Sequence, residues 1–206
     1  MSYAQYLRQL LRPLGVSALA APLDIGPSGT LSAKPAPLAD SQLYYGEVKD
    51  ILTDEEGTLT GLRMDSPRSG EYVMKLSGET WWIDSGARTA SDPATLEVGE
   101  KLYVFHSPVS TRSLPPQSAA YAIVRNIPQD AGCAQYHEVE AVEETDEGVQ
   151  ITTDNGGLIL FLDKNTALLS YSGDAPERPA DIPVGSHVMA WYQVVLQSLP
   201  GQAHPS

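Results

Sequence analysis

The stretch HSPVSTRSLPPQSAAYAIV, residues 106–124, returns in shortened form as WYQVVLQSLPGQAHPS, residues 191–206. In both, an apolar run enters a Ser-Leu-Pro corner followed by a glutamine: Ser113, Leu114, Pro115 and Gln117 answer to Ser198, Leu199, Pro200 and Gln202. Upstream, the same order of landmarks recurs. Val98-Gly99 answers to Val184-Gly185, Leu76 and Thr80 to Leu162 and Thr166, and Tyr45, Glu47 and Val48 to Tyr136, Glu138 and Val139. Matches in one order over so long a span predict two units with one fold, with small length changes confined to loops. A proline at a strand's end lacks an amide donor and fixes φ, which suits a corner where the chain swings to its next strand. The second copy stops before a counterpart of Tyr121, Ala122, Ile123 and Val124, so its last strand is expected to be missing. The edge left by that gap is expected to be completed by the N-terminal linker or by a neighbouring chain, because strand backbone groups need partners.

Outward from these landmarks, periodicity near two dominates. LYYGEVKDILTD, TLTGLRMD, EYVMKL, TWWID, KLYVFHS and AYAIVRNI read as strands of the first unit. QYHEVEAVEET, VQITTD, LILFLD, TALLSYS and HVMAWYQVV read as strands of the second. Asn155-Gly156-Gly157 is the strongest hairpin turn, since these residues tolerate the positive φ that a two-residue loop demands. The chain before Ser41 differs. Tyr3, Tyr6, Leu7, Leu10, Leu11 and Leu14 lie on one helical stripe that Pro13 and Gly15 end, and a Pro-, Gly-, Ala- and Ser-rich segment follows. The predicted organisation is a short amphipathic helix over 1–17, a linker over 18–41, a first β-barrel over 42–128 and a second over 134–206. The fold class is all-β: two tandem small antiparallel barrels, OB-like or SH3-like, preceded by a short α-helix. A single continuous sandwich is the alternative.

The chain carries 26 acidic and 13 basic residues, a net charge of -13, and 42% of its residues are hydrophobic. That content is enough for real cores, and the charge argues against nucleic acid and anionic membrane surfaces as partners. The excess is concentrated beyond residue 127, where two basic residues face twelve acidic ones. The single cysteine, Cys133, forbids an intramolecular disulfide. No run of 18 apolar residues crosses a membrane, and the first twenty residues lack a signal peptide's apolar centre. A soluble protein is expected, cytoplasmic or exported with any signal removed.

Chemistry-bearing motifs are sparse. His106, His137, His187 and His204 show no metal-ligand spacing, and no metal or cofactor site is read. DEEG at 54–57 and TDEG at 145–148 are too short for calcium loops, and neither a nucleophile elbow nor a phosphate loop is present. No catalytic residue is singled out. The aromatic pairs stand out: adjacent Trp81 and Trp82 must point to opposite faces of a strand, and Trp191-Tyr192 offers the same pairing in the other unit. An outward ring there packs between units, contacts a ligand such as a sugar or peptide, or simply covers a barrel end. The candidate binding residues are Trp81, Trp82, Arg112, Gln117, Trp191, Tyr192 and Gln202.

GEKLYVFHSPVSTRSLPPQSAAYAIVRNIPQD, YHEVEAVEETDEGVQITTDNGGLILFLDKNT and GSHVMAWYQVVLQSLPGQAHPS together resemble a group of functionally uncharacterised tandem-repeat all-β proteins of anaerobic Gram-positive gut bacteria, some with an export signal. The likeness covers residues 43–206. It implies the fold and transfers no catalytic residue. The expected function is a non-catalytic binding or structural module for protein, peptide or cell-envelope material. Self-association through the open edge of the second unit is one expected form of partnership. The alternative is a hydrolase using paired carboxylates in the cleft between units.

Overall fold

QLYYGEVKDILT alternates by twos, and in the computed structural model it forms one long strand buried at Tyr44, Gly46 and Val48. The structure describes residues 41–128, 133–171 and 176–205. The helix expected over 1–17, and the linker except Ser41, lie outside the described residues. The first unit contains β1 (Gln42–Thr53), β2 (Leu59–Ser66), β3 (Gly70–Lys75), a short hairpin of β4 (Trp81–Asp84) and β5 (Thr89–Ala90), β6 (Lys101–His106) and β7 (Gln117–Arg125).

A bulge between Val48 and Asp50 bends β1, so its first half pairs with β6 and its second with β2. Antiparallel β2–β3, parallel β3–β7 and antiparallel β7–β6 pairings complete the ring. Five strands therefore close into a barrel with the strand connections of an OB-fold rather than an SH3-like barrel. Val48, Leu62, Met64, Met74, Trp82, Leu102, Val104 and Ile123 fill it.

The end of β7 is a central strand. One edge pairs with β6, and the other runs parallel to β4, from Trp81 beside Ala122 to Asp84 beside Arg125. Arg125 fixes this strand by donating to both Glu100 carboxylate oxygens, at 2.7 and 2.8 Å. It also donates to the Asp92 and Thr95 carbonyls and to the Ser91 and Thr95 hydroxyls.

The second unit contains β8 (Ala134–Glu138), β9 (Ala141–Thr145), β10 (Gly148–Thr153), β11 (Leu158–Leu162), β12 (His187–Trp191), β13 (Val195–Leu196) and β14 (Gly201–Ala203). β8 and β9 lie where β1 lies, interrupted at Val139 and Glu140. The registers agree residue by residue. β12 meets β8 with His187 opposite Glu138, as Lys101 stands opposite Glu47, and parallel β11–β14 sets Ile159 beside Gln202, as Val73 stands beside Gln117. Both Ser-Leu-Pro corners carry a cis peptide bond before proline.

Among the described residues, the strands of the second unit do not close into the expected barrel. They fall into a five-stranded sheet and a separate β12–β8 pair, and among the described residues β12 pairs with β8 alone. β14 ends at Ala203, before the level at which β7 begins to join β6 to β4. A core still forms around Val139, Ile151, Leu160, Leu162 and Ile182. The Asn155-Gly156 turn also departs from expectation, for Thr153 pairs with Leu158 and leaves a four-residue loop. Asp154, Asn155 and Gly156 all have positive φ there. The Glu140 carboxylate accepts from the backbone N–H groups of Asn155 and Gly156, tying down amides that so sharp a bend leaves without sheet partners.

Candidate functional site

Adjacent residues of a strand face opposite ways, and β4 divides its tryptophans accordingly. Trp82 enters the first core, while Trp81 stands outside it. The Trp81 ring stacks on Tyr171, with centroids 5.0 Å apart, and meets Tyr136 edge-on at 6.1 Å. Tyr136 is the hub of the seam between units, with Phe105, Tyr121 and His187 all stacked against it. Burial pushes its phenol well above the ordinary tyrosine range, so it stays neutral and serves as packing surface. Three polar links across the seam fix the alignment: the Trp191 indole N–H donates to the Ser85 carbonyl at 3.1 Å, the Ala134 N–H donates to the Ser85 hydroxyl at 3.2 Å, and the Trp82 N–H donates to the Tyr171 hydroxyl at 2.9 Å.

Beside this packing lies a groove of about 490 Å³. Trp81, Ile83 and Arg88 of the first unit form one side, Leu160 and Leu162 lie at its base, and segments 166–171 and 186–191 form the walls of the second unit. None of its described lining residues is an aspartate or glutamate. The paired-carboxylate chemistry of a hydrolase therefore has no support here, and among the described residues no cluster of three His, Cys, Asp or Glu is placed to hold a metal.

A second polar cluster sits near Tyr192. Asp154 lies 2.9 Å from Nδ1 of buried His137, whose Nε2 lies 3.0 Å from the Tyr192 hydroxyl. A carboxylate only accepts, so Nδ1 carries a proton, and Nε2 forms its own hydrogen bond with the Tyr192 hydroxyl. Every polar atom of the imidazole is thereby satisfied in place. The cluster ties the end of β12 to β8 and to the β10–β11 turn.

Of the residues singled out from sequence, Trp81 and Trp191 meet on the groove, and Tyr192 borders a smaller recess that also touches Trp191. Trp82 is a core residue, buried to 7% exposure. Gln117 and Gln202 lie at the starts of the parallel strand additions, and exposed Arg112 sits on the loop before them, away from the groove. The two aromatic pairs do not repeat one another: Trp81-Trp82 is on β4, whereas Trp191-Tyr192 ends β12. Tyr136 and Tyr171 were missed, because nothing local distinguishes a seam tyrosine from one in a core.

No family model and no curated protein matches the chain. Among solved structures, one described as a multidomain protein with nucleic acid binding domains, from Streptococcus pneumoniae, is similar at 10% identity and a TM-score of 0.23. The match covers 80% of this chain and 51% of that one, so this chain spans about half that protein's length. The exclusion of nucleic acid drawn from net charge is corrected by this finding, because a match carries domains of that kind and overall charge says nothing of a local surface. A likeness this slight makes no positive case for nucleic acid either. No helix among the described residues is long and apolar enough to cross a membrane.

Proposed function

We propose that this protein is a non-catalytic binding module that takes a protein or peptide segment in the groove at the seam. The observation that carries this reading is the groove itself: about 490 Å³, lined mainly by apolar residues that include two tryptophans, with Arg88, His187 and a few hydroxyl side chains, and free of carboxylates among its described lining. Protein surfaces of this kind bind through apolar contact with a few polar groups for orientation. Leu169, 69% exposed at the groove wall, is an apolar residue that a bound segment would cover. The first unit supplies Trp81, Ile83 and Arg88 to one side of the groove, and the second unit supplies its base and both walls.

The test is selection of displayed random peptides on the full chain, followed by counter-screening on Leu169→Lys. Enriched peptides are expected to lose binding to the variant and to shift the indole N–H resonances of Trp81 and Trp191 while leaving that of core Trp82 in place. Peptides that bind the variant equally well and move none of these resonances would place recognition elsewhere.

A further inference from the structure

Resting on that reading of the groove, we infer that its occupant is an extended strand of a partner protein, adding antiparallel to β12 and parallel to residues 167–170. Both walls are those that flank the end of β7 in the first unit. β12 lies on β8 in the register that β6 has on β1, so Met189, Ala190 and Trp191 stand where Tyr103, Val104 and Phe105 receive Val124, Ile123 and Ala122. The opposite wall is matched as closely. Thr80 and Ser77 exchange a backbone and a hydroxyl hydrogen bond immediately before β4, and Thr166 and Asp163 exchange the same two bonds. Residues 167–170 therefore occupy the place of β4, which runs parallel to the end of β7.

The difference between the walls follows from what lies between them. Residues 81–84 are a strand because β7 pairs with them, whereas 167–170 have the same lead-in and are not a strand. Ile83 is 4% exposed, and its counterpart Leu169 is 69% exposed. An added strand supplies hydrogen bonds to backbone on both sides, and its alternate side chains choose the sequence. The residue entering between Ala190 and Leu168 takes the position of Ile123 and faces Leu160 and Leu162, which calls for a branched aliphatic. Two positions further on, Arg125 meets Thr95 in the first unit; the counterpart of Thr95 is Asp181, whose carboxylate accepts from Arg178 at 2.7 Å, so the preference at that position rests on the acidic excess of the whole second unit. With two basic residues against twelve acidic ones after residue 127, the second unit favours a strand that ends in a basic residue.

The experiment is calorimetric titration of the full chain with a synthetic peptide, SAAYAIVR, the sequence of residues 118–125. Companion peptides carry N-methyl groups on alternate residues in each of the two phases, so that one or the other hydrogen-bonding edge is blocked, and a further peptide has its isoleucine replaced by aspartate. The parent peptide is expected to bind. Each N-methylated phase should lose at least about tenfold in affinity, as should the aspartate peptide and the parent peptide against Leu169→Lys. N-methylated peptides that bind as well as the parent would overturn strand addition while leaving an apolar peptide site intact. Failure of every peptide, with concentration-dependent self-association abolished by Leu169→Lys, would assign the groove to a second copy of the chain and overturn the inference. Failure of every peptide without self-association would overturn both this inference and the reading it rests on.

Discussion

Replacing Arg125 by methionine should destabilise the first barrel severely. The guanidinium is 7% exposed and holds both oxygens of a Glu100 carboxylate that is itself 22% exposed. It also satisfies the Asp92 and Thr95 carbonyls at 2.9 and 3.0 Å. Methionine fills much of the volume but donates nothing, which leaves the Glu100 carboxylate and the Thr95 carbonyl short of a donor, while the Asp92 carbonyl keeps the Thr95 N–H and hydroxyl. Removing one partner of a buried pair costs about 3–5 kcal/mol. Water reaches Glu100 in part, so a loss of about 2–4 kcal/mol is expected. With a urea slope of about 2 kcal/mol per molar, the middle of the usual range, the unfolding midpoint should fall by about 1–2 M. Adding Glu100→Gln should recover part of the loss, because the stranded charge is then gone, and the double-mutant cycle should give a coupling of at least about 1 kcal/mol. Amides of residues 91–100 should exchange faster in the single variant. A midpoint for Arg125→Met within about 0.3 M of the parent would refute the claim that this residue fixes the end of β7.

Acid should weaken the fold through His106. Burial lowers its pKa below the ordinary value of 6.5, so the unfolded chain takes up the proton first. The stability it contributes is complete above pH 6.5 and is lost as pH falls towards the folded value, at no more than about 1.4 kcal/mol per pH unit. Urea midpoints at pH 7.5 and 5 should show this slope, and His106→Gln should reduce it; an unchanged slope in the variant would remove His106 from the account. Tyr192→Phe takes the hydroxyl partner from Nε2 of His137 and should cost about 1–2 kcal/mol in urea unfolding; no change in midpoint would mean that water replaces the hydroxyl freely. Glu140→Ala leaves the turn amides of Asn155 and Gly156 without their acceptor and should cost about 1 kcal/mol, with faster exchange at both amides; unchanged exchange there would show that the carboxylate is not what holds the turn.

The all-β class and a small barrel, OB-like or SH3-like, could be read from the sequence because each strand carries its own signal: alternation in QLYYGEVKDILT and TLTGLRMD, and the Ser-Leu-Pro corner met twice; the choice between the two barrels rests on the parallel β3–β7 pairing, which no local signal carries. The splitting of Trp81 from Trp82 was legible for the same reason, since adjacent residues of a strand must face apart. Pairing across the fold was less accessible. That Trp191 would join Trp81 on one groove depends on how two units dock, which local periodicity does not encode. The roles of Tyr136 and Tyr171 were hidden likewise, as were the Asp154–His137–Tyr192 chain and the cradle of Arg125, whose partners lie 17 to 55 and 25 to 34 residues away in sequence. Gln117, Gln202 and Arg112 were singled out by their place in a repeated motif, and that motif turned out to shape corners rather than the groove.

Amide hydrogen exchange, followed residue by residue in the full chain with and without saturating SAAYAIVR peptide, tests the central claim most directly. Strand addition predicts at least about a hundredfold slowing at amides of both walls, within 188–191 and 167–170, with alternate residues affected along β12 and core amides of the first barrel unchanged. Bound peptide that leaves exchange at both walls as it was would contradict the account.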